Sequence, residues 1–300
     1  MRLITRDRSF YHALAALAIP VALQNLITFA VGFADNLMVA SLGDSAVAGV
    51  YLGNQLQTFL QMFSAGIEGA ILILAAQYWG KRDTGSIKRI IAIGVRLSVA
   101  AGAILTFACS LIPAQILSLF TNNPSPIADG CDYLRIVCFS YVFFCLTQAL
   151  IAAMRSVEQA YVGMFVSMIS LVVNIALNYV LIFGKLGFPK MGVAGAAVAT
   201  LISRVAETAF MAVFVFRVDK RLRLTMGDLV QSSGELLRDF IGYGLPIVGG
   251  QVVWSINLMM NSAILGRFPE SVLAAASVAN TMNSLAYVFI TGVSHAVSVI

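Results

Sequence analysis

The chain has 300 residues, 59% of them hydrophobic and only 11% charged, and a net charge of +5. Soluble domains run near a quarter charged, so this chain lacks the polar surface to cover a water-exposed globule. The basic excess is not a nucleic-acid footprint, which would gather Lys and Arg on one soluble face.

The predicted elements are membrane-spanning helices, each asking for about 20 apolar residues. Eight are read, roughly over 12–41, 46–78, 88–112, 129–153, 162–183, 192–217, 239–266 and 271–300. The runs are long, rich in Leu, Ile, Val, Ala and Gly, and show no alternating period, which excludes a barrel of short strands. Arg2, Arg6 and Arg8 precede the first run, as in a signal peptide. The run continues past the length of a cleavable segment, so an uncleaved span is expected.

Basic residues give the orientation. The N-terminus, Lys81, Arg82, Lys88, Arg89, Arg155 and the linker residues Arg217, Lys220, Arg221, Arg223 and Arg238 fall on one side. Only Lys185, Lys190 and Arg267 fall on the other. By the positive-inside rule the N-terminus and the 218–238 linker are cytoplasmic. The expected location is the plasma (inner) membrane, multi-pass.

Cys131, Cys138 and Cys145 lie seven apart on the fourth span and Cys109 stands alone. No Cys-x-x-Cys pair exists, and these read as small packing residues. His12 and His295 are singletons on different spans. Neither pattern suggests a metal site.

A shift of 226 residues lays spans one and two over spans seven and eight. Pro20 then meets Pro246, Ser45 meets Ser271, Asn54 meets Asn280 and Gly66 meets Gly292, with Asp44 over Glu270. Six spans separate the copies, an even number, so both point the same way. This is a parallel repeat about an axis along the membrane normal. The expected organisation is an all-α polytopic membrane protein of two six-helix lobes. Residues 1–217 form the N-terminal lobe, 218–238 a cytoplasmic linker, and 239–300 the first two helices of an incomplete second lobe. By the repeat, a complete protein would hold about twice 226 residues, so the chain is expected to be a fragment.

Ionisable groups inside a bilayer cost about 2.5–3.5 kcal/mol even on lenient scales, so each needs a partner or a purpose. At about 1.5 Å per residue, Asp35, Asn174, Asn178 and Thr200 share one layer of the external half. Asn174 and Asn178 are i,i+4 neighbours on one helix face. A carboxylate, two amide carbonyls and a hydroxyl make an all-oxygen set for a hard cation or a relayed proton. Plain interhelical hydrogen bonding is the structural alternative. A second layer lies toward the cytoplasm. It holds Glu68, which ends the seven-spaced stripe Asn54–Gln61–Glu68, together with Arg96, Arg204 and Glu207. This layer reads as a charge network or cavity lining, with Arg204 and Glu207 spaced i,i+3 to pair with each other and Arg96 free to snorkel. Pro20 and Pro246 interrupt the backbone ladder of each lobe's first helix, either as hinges or as static bends.

Several segments resemble one family. They are Ile19-Pro20-Val21 with Asp35-Asn36-Leu37-Met38-Val39-Ala40, and Ala76-Gln77-Tyr78-Trp79-Gly80-Lys81. Asn174-Ile175-Ala176-Leu177-Asn178 and the run Gly192–Thr200 complete the set. Together they are similar to the multidrug and toxic compound extrusion (MATE) family across nearly the whole chain. The resemblance implies two lobes around a V-shaped cavity and drug export driven by inward flow of H+ or Na+, with Na+ admissible at Asp35. This chain departs from the family at Asn178 and Ser255, where some members carry Asp and Glu, and in Arg155-Ser156-Val157-Glu158-Gln159 after span four. The coupling ion therefore stays open.

The reading is a secondary active exporter of amphipathic, cationic small molecules. It is expected to act as a monomer in the lipid bilayer, without cofactor, nucleic-acid partner or enzymatic activity. A flippase for lipid-linked or polysaccharide precursors shares the fold but wants more basic residues within the spans than Arg96, Arg135 and Arg204. A membrane transferase would need Asp-rich or His/Cys/Asp clusters that the sequence lacks.

Overall fold

In the computed structural model, residues 8–121, 124–231 and 233–265 are described. Within them α1 runs Arg8–Ala40, α2 Asp44–Gly80, α3 Thr84–Leu111, α4 Pro113–Ser118 and α5 Pro124–Val137. Then come α6 Ser140–Ser156, α7 Tyr161–Phe183, α8 Gly192–Val213 and α9 Gly234–Leu265. The eighth predicted span, with Glu270 and His295, lies outside the described residues. So does the comparison of the two repeat copies.

Each helix boundary has a local cause. Asp83 caps α3, its carboxylate accepting the Ser86 amide at 3.1 Å and the Ser86 hydroxyl at 2.6 Å. Those donors hold the Asp83 carboxyl below its ordinary value. α7 stops at Gly184, whose φ of 67° closes the helix in the left-handed region. Pro113 and Pro124 open α4 and α5, where a missing amide costs nothing. Pro20 and Pro246 sit inside α1 and α9.

Among the described residues, five helices are long and apolar enough to cross a bilayer: α1, α2, α3, α7 and α8 with its extension to Val218. The fourth predicted span needs correction. Its residues fall in two helices, α5 and α6, bent by 54° at the break, a geometry that fits a broken span or a re-entrant segment. No proline or glycine marks the break. The Thr106 hydroxyl on α3 donates to the Cys138 carbonyl at 2.7 Å, giving that carbonyl a tertiary partner at the bend. α9 is 32 residues long, but Gln251, Asn257 and Asn261 make it less uniformly apolar than the five.

α2 is the central post, packing against α3, α5, α6 and α9. It carries the α9 contact on small residues. A Cβ at Gly66 would come within 2.6 Å of the Val248 backbone, so the crossing requires glycine there. One apolar core, including Ile71, Ile90, Ile151 and Met211, lies near the linker. The other, around Leu60, Leu117, Leu134 and Tyr141, joins α2, α5 and α6. Cys109, Cys138 and Cys145 are buried free thiols.

The linker is docked. Leu222 and Leu224 are each 2% exposed and belong to the first core. Asp219 accepts the amides of Arg221, Leu222 and Arg223 and the Gln159 side-chain amide. Lys88 pairs with Asp228 at 2.9 Å. Arg96 reaches the Gln231 carbonyl at 3.0 Å, the snorkelling geometry its position suggested.

Candidate functional site

α1, α5, α7 and α8 converge on Asp35. On α7, Ser170, Asn174 and Asn178 recur every four residues and present one polar stripe to the neighbouring helices. Asn178 is fully buried, and its amide nitrogen donates to Asp35 and, at 3.1 Å, to the Asn174 carbonyl oxygen. Asn174 in turn donates to Ser203 on α8 at 3.4 Å. Both protons of the Asn178 amide are thus committed, while its carbonyl oxygen is buried with no hydrogen-bond partner. A buried carbonyl without a donor costs free energy, and this one lies beside a carboxylate. The pair offers oxygen ligation to a hard cation or an acceptor to a proton's carrier.

Thr200 joins through Tyr133 of α5. The phenol donates to Asn54 at 3.2 Å and has Thr200 as its other hydrogen-bonding neighbour. Its ring lies over Gly53, where a Cβ would meet it at 2.7 Å. The structure therefore brings Asp35, Asn174, Asn178 and Thr200 into one neighbourhood and draws in Asn54. Gln61 lies half-buried farther along α2.

Arg204 and Glu207, read in one depth layer with Glu68, lie on the α7–α8 face and form the i,i+3 pair their spacing allows. Arg204 pairs with Glu207 at 2.7 Å, and Ser170 donates to the same carboxylate at 3.3 Å. Glu68 instead pairs at 3.8 Å with Arg155, whose guanidinium also donates to Gln24 of α1 at 2.7 Å. Depth along a helix does not specify azimuth, and the two pairs point into different helix seams.

Sequence reasoning missed Tyr133, Ser203, Ser170, Arg155 and Gln24. Ser170 was legible as the next member of the α7 stripe and Ser203 as the neighbour of Thr200. Tyr133 and Arg155 carry no periodic signal. A Gly163 opposite Gln24 leaves room for that side chain, since a Cβ there would collide with it.

Together, helices of spanning length and a carboxylate–amide cluster buried between them define a polytopic helical membrane protein with a polar intramembrane site. The MatE family profile matches residues 20–180, more than half of the chain, and the chain belongs to the MatE family. A relative in Thermotoga maritima, "Probable multidrug resistance protein NorM", is 26% identical over 95% of this chain and 61% of its own length. One of the same name in Rhodopseudomonas palustris is 31% identical over 79% of this chain and 50% of its own. A solved structure of a multidrug resistance MATE family transporter of the MOP superfamily, in an outward-facing conformation, has 25% identity and a TM-score of 0.85. It is matched over 96% of this chain and 63% of its own. The chain thus spans less than two thirds of the length of these relatives.

Proposed function

We propose that the protein is a secondary active exporter of amphipathic, cationic small molecules, with Asp35 as its coupling carboxylate. In this reading the coupling ion is H+ or Na+, the membrane is the plasma (inner) membrane, and the N-terminus is cytoplasmic. The relatives' multidrug names support the cargo class. The site supports the coupling role through one observation: Asn178, whose amide nitrogen donates to Asp35, keeps a buried carbonyl oxygen with no donor, so a carboxylate and a free acceptor oxygen meet on neighbouring helices. Asn174 and Thr200 hold Asn178 and Tyr133 in place around it. Pro20, fifteen residues before Asp35 on the same helix, is the proposed hinge, with Pro246 its counterpart in α9.

The test is transport of a cationic dye into vesicles holding the full-length protein, with proton and sodium gradients imposed separately. Asp35→Asn keeps shape and hydrogen-bonding capacity but cannot change charge. It should fold, bind dye and fail to concentrate it under either gradient. Unimpaired gradient-driven export by the folded variant would overturn the assignment.

A further inference from the structure

We infer that Arg204 and Glu207 set the charge of the Asp35 cluster, so that the three side chains together take up one monovalent positive charge and Arg204 acts as the internal counter-charge when that cation leaves. The inference rests on the coupling role of Asp35 and specifies its stoichiometry and partners.

Arg204 is the shared member. Its NH1 lies 2.7 Å from the Glu207 carboxylate, and its guanidinium carbon sits 5.0 Å over the Phe144 ring of α6. It faces α1 across a small cavity shared with Thr28 and Val31, and Val31 lies one turn before Asp35 on the same helix. A guanidinium has five N–H donors in a planar fork, so bonding Glu207 leaves donors for a second carboxylate. Glu207 is 3% exposed and keeps its Ser170 hydrogen bond whichever way Arg204 leans. A cavity of about 20 Å³ lies between Thr28, Ser167, Ser170, Arg204 and Glu207. That is space for one water, with hydroxyls and charges to bind it, and it gives the guanidinium room to move.

The charge count follows. Asp35 and Glu207 contribute two negative charges and Arg204 one positive. Among the described residues, the Tyr133 phenol from α5 also faces Asp35. α7 presents only Ser170, Asn174 and Asn178, which are uncharged. The empty cluster therefore carries −1, and one bound cation makes it neutral. A net charge buried in low dielectric is costly, which favours loading one cation and opposes a second. On release, Arg204 leaning toward Asp35 spares the site a bare buried carboxylate.

The experiment measures the half-saturating concentration for thermal stabilisation of the purified full-length protein. Na+ is titrated against choline, and protons in choline alone. Glu207→Gln leaves an empty cluster that is already neutral, and the half-saturating concentration should rise on the order of tenfold or more. Arg204→Gln leaves −2, and it should fall by a similar factor. The double variant R204Q/E207Q restores −1 and should return to within about threefold of the parent protein, as should Arg204→Lys. If Arg204→Gln does not fold, Glu207→Gln against the double variant decides, since the two differ only in the Arg204 charge. A purely structural pair would lower the melting temperature and leave cation dependence unchanged. That result, or a double variant no nearer the parent than Glu207→Gln, overturns the inference. Asp35→Asn separates the two claims: if it retains full cation dependence, the coupling role itself fails.

Discussion

The guanidinium of Arg155 lies 3.8 Å from the carboxylate of Glu68, and the two side chains are only 7% and 8% exposed. Arg155 counts as a cytoplasmic cation in the sequence, yet its side chain turns back into the lobe and ties α6 to α2 and, through Gln24, to α1. Removing one partner of a buried pair strands the other charge, at about 3–5 kcal/mol. Glu68→Gln should therefore lower yield and melting temperature of the full-length protein while leaving turnover of the surviving molecules nearly intact. Replacing both, as E68L with R155M, should recover much of the loss. Thermal melts of the single and double variants check this, with dye transport per folded molecule as the second readout.

The origin of the misplacement is general. Hydropathy reports whether a segment partitions into a bilayer, and it located the spans that the structure describes as α1, α2, α3, α7 and α8. The i,i+4 spacing of Asn174 and Asn178 likewise reported a shared face, which the structure keeps. What neither reports is azimuth across a helix interface. The i,i+3 spacing of Arg204 and Glu207 reports their pair, but Arg155 is placed by its position after span four alone, and the Glu68 partner is thereby assigned to solvent. The bend between α5 and α6 was invisible because its supporting contact, from Thr106 to the Cys138 carbonyl, spans 32 residues. The docked linker was hidden for the same reason. Its leucines are short apolar breaks in a basic stretch until Lys88 and Arg96 on α3 bring it down.

Thr106→Val tests the bend. The substitution keeps volume and removes the donor at 2.7 Å from the Cys138 carbonyl. The Tyr141 amide still donates to that carbonyl at 3.1 Å, so the loss is one net hydrogen bond, about 0.5–1.5 kcal/mol, and the melting temperature should fall. Thr106→Ser keeps the hydroxyl and should retain most of the stability. Equal losses for Val and Ser would assign the effect to packing of the methyl group instead.

Linker docking should weaken in acid. Burial pushes the Asp228 carboxyl up, but the Lys88 ammonium and the Thr225 amide and hydroxyl together outweigh it and hold the group below its ordinary value. A carboxyl depressed in the folded state contributes stability above its unfolded value, near 4. That contribution is lost as pH falls through the folded value. Because Lys88 and Asp228 lie at the surface, the effect should stay below about 1 kcal/mol. Protection factors across Arg223–Gln231, corrected for intrinsic exchange at each pH, should be high at pH 7 and lower below pH 4. Asp228→Asn should show the lower protection already at pH 7, and pH-independent protection factors in the parent protein would refute the role.

Tyr133→Phe tests whether the α5 phenol positions the cluster. The hydroxyl joins α2 through Asn54, 3.2 Å away, with α8 through Thr200. Its loss removes a net hydrogen-bond contribution of about 0.5–1.5 kcal/mol while the ring still fills the space over Gly53. A modest stability loss is therefore expected from the Phe variant. If the phenol also fixes Thr200 beside Asp35, the half-saturating Na+ or proton concentration should change by several-fold in the same variant. Asn54→Ala supplies the control, because it breaks the α2 side of the link and leaves the Thr200 side in place. A shift in cation dependence with Tyr133→Phe but not with Asn54→Ala would place the positioning role on the Thr200 contact. Equal shifts would place it on the whole bridge, and no shift in either would leave Tyr133 a packing residue.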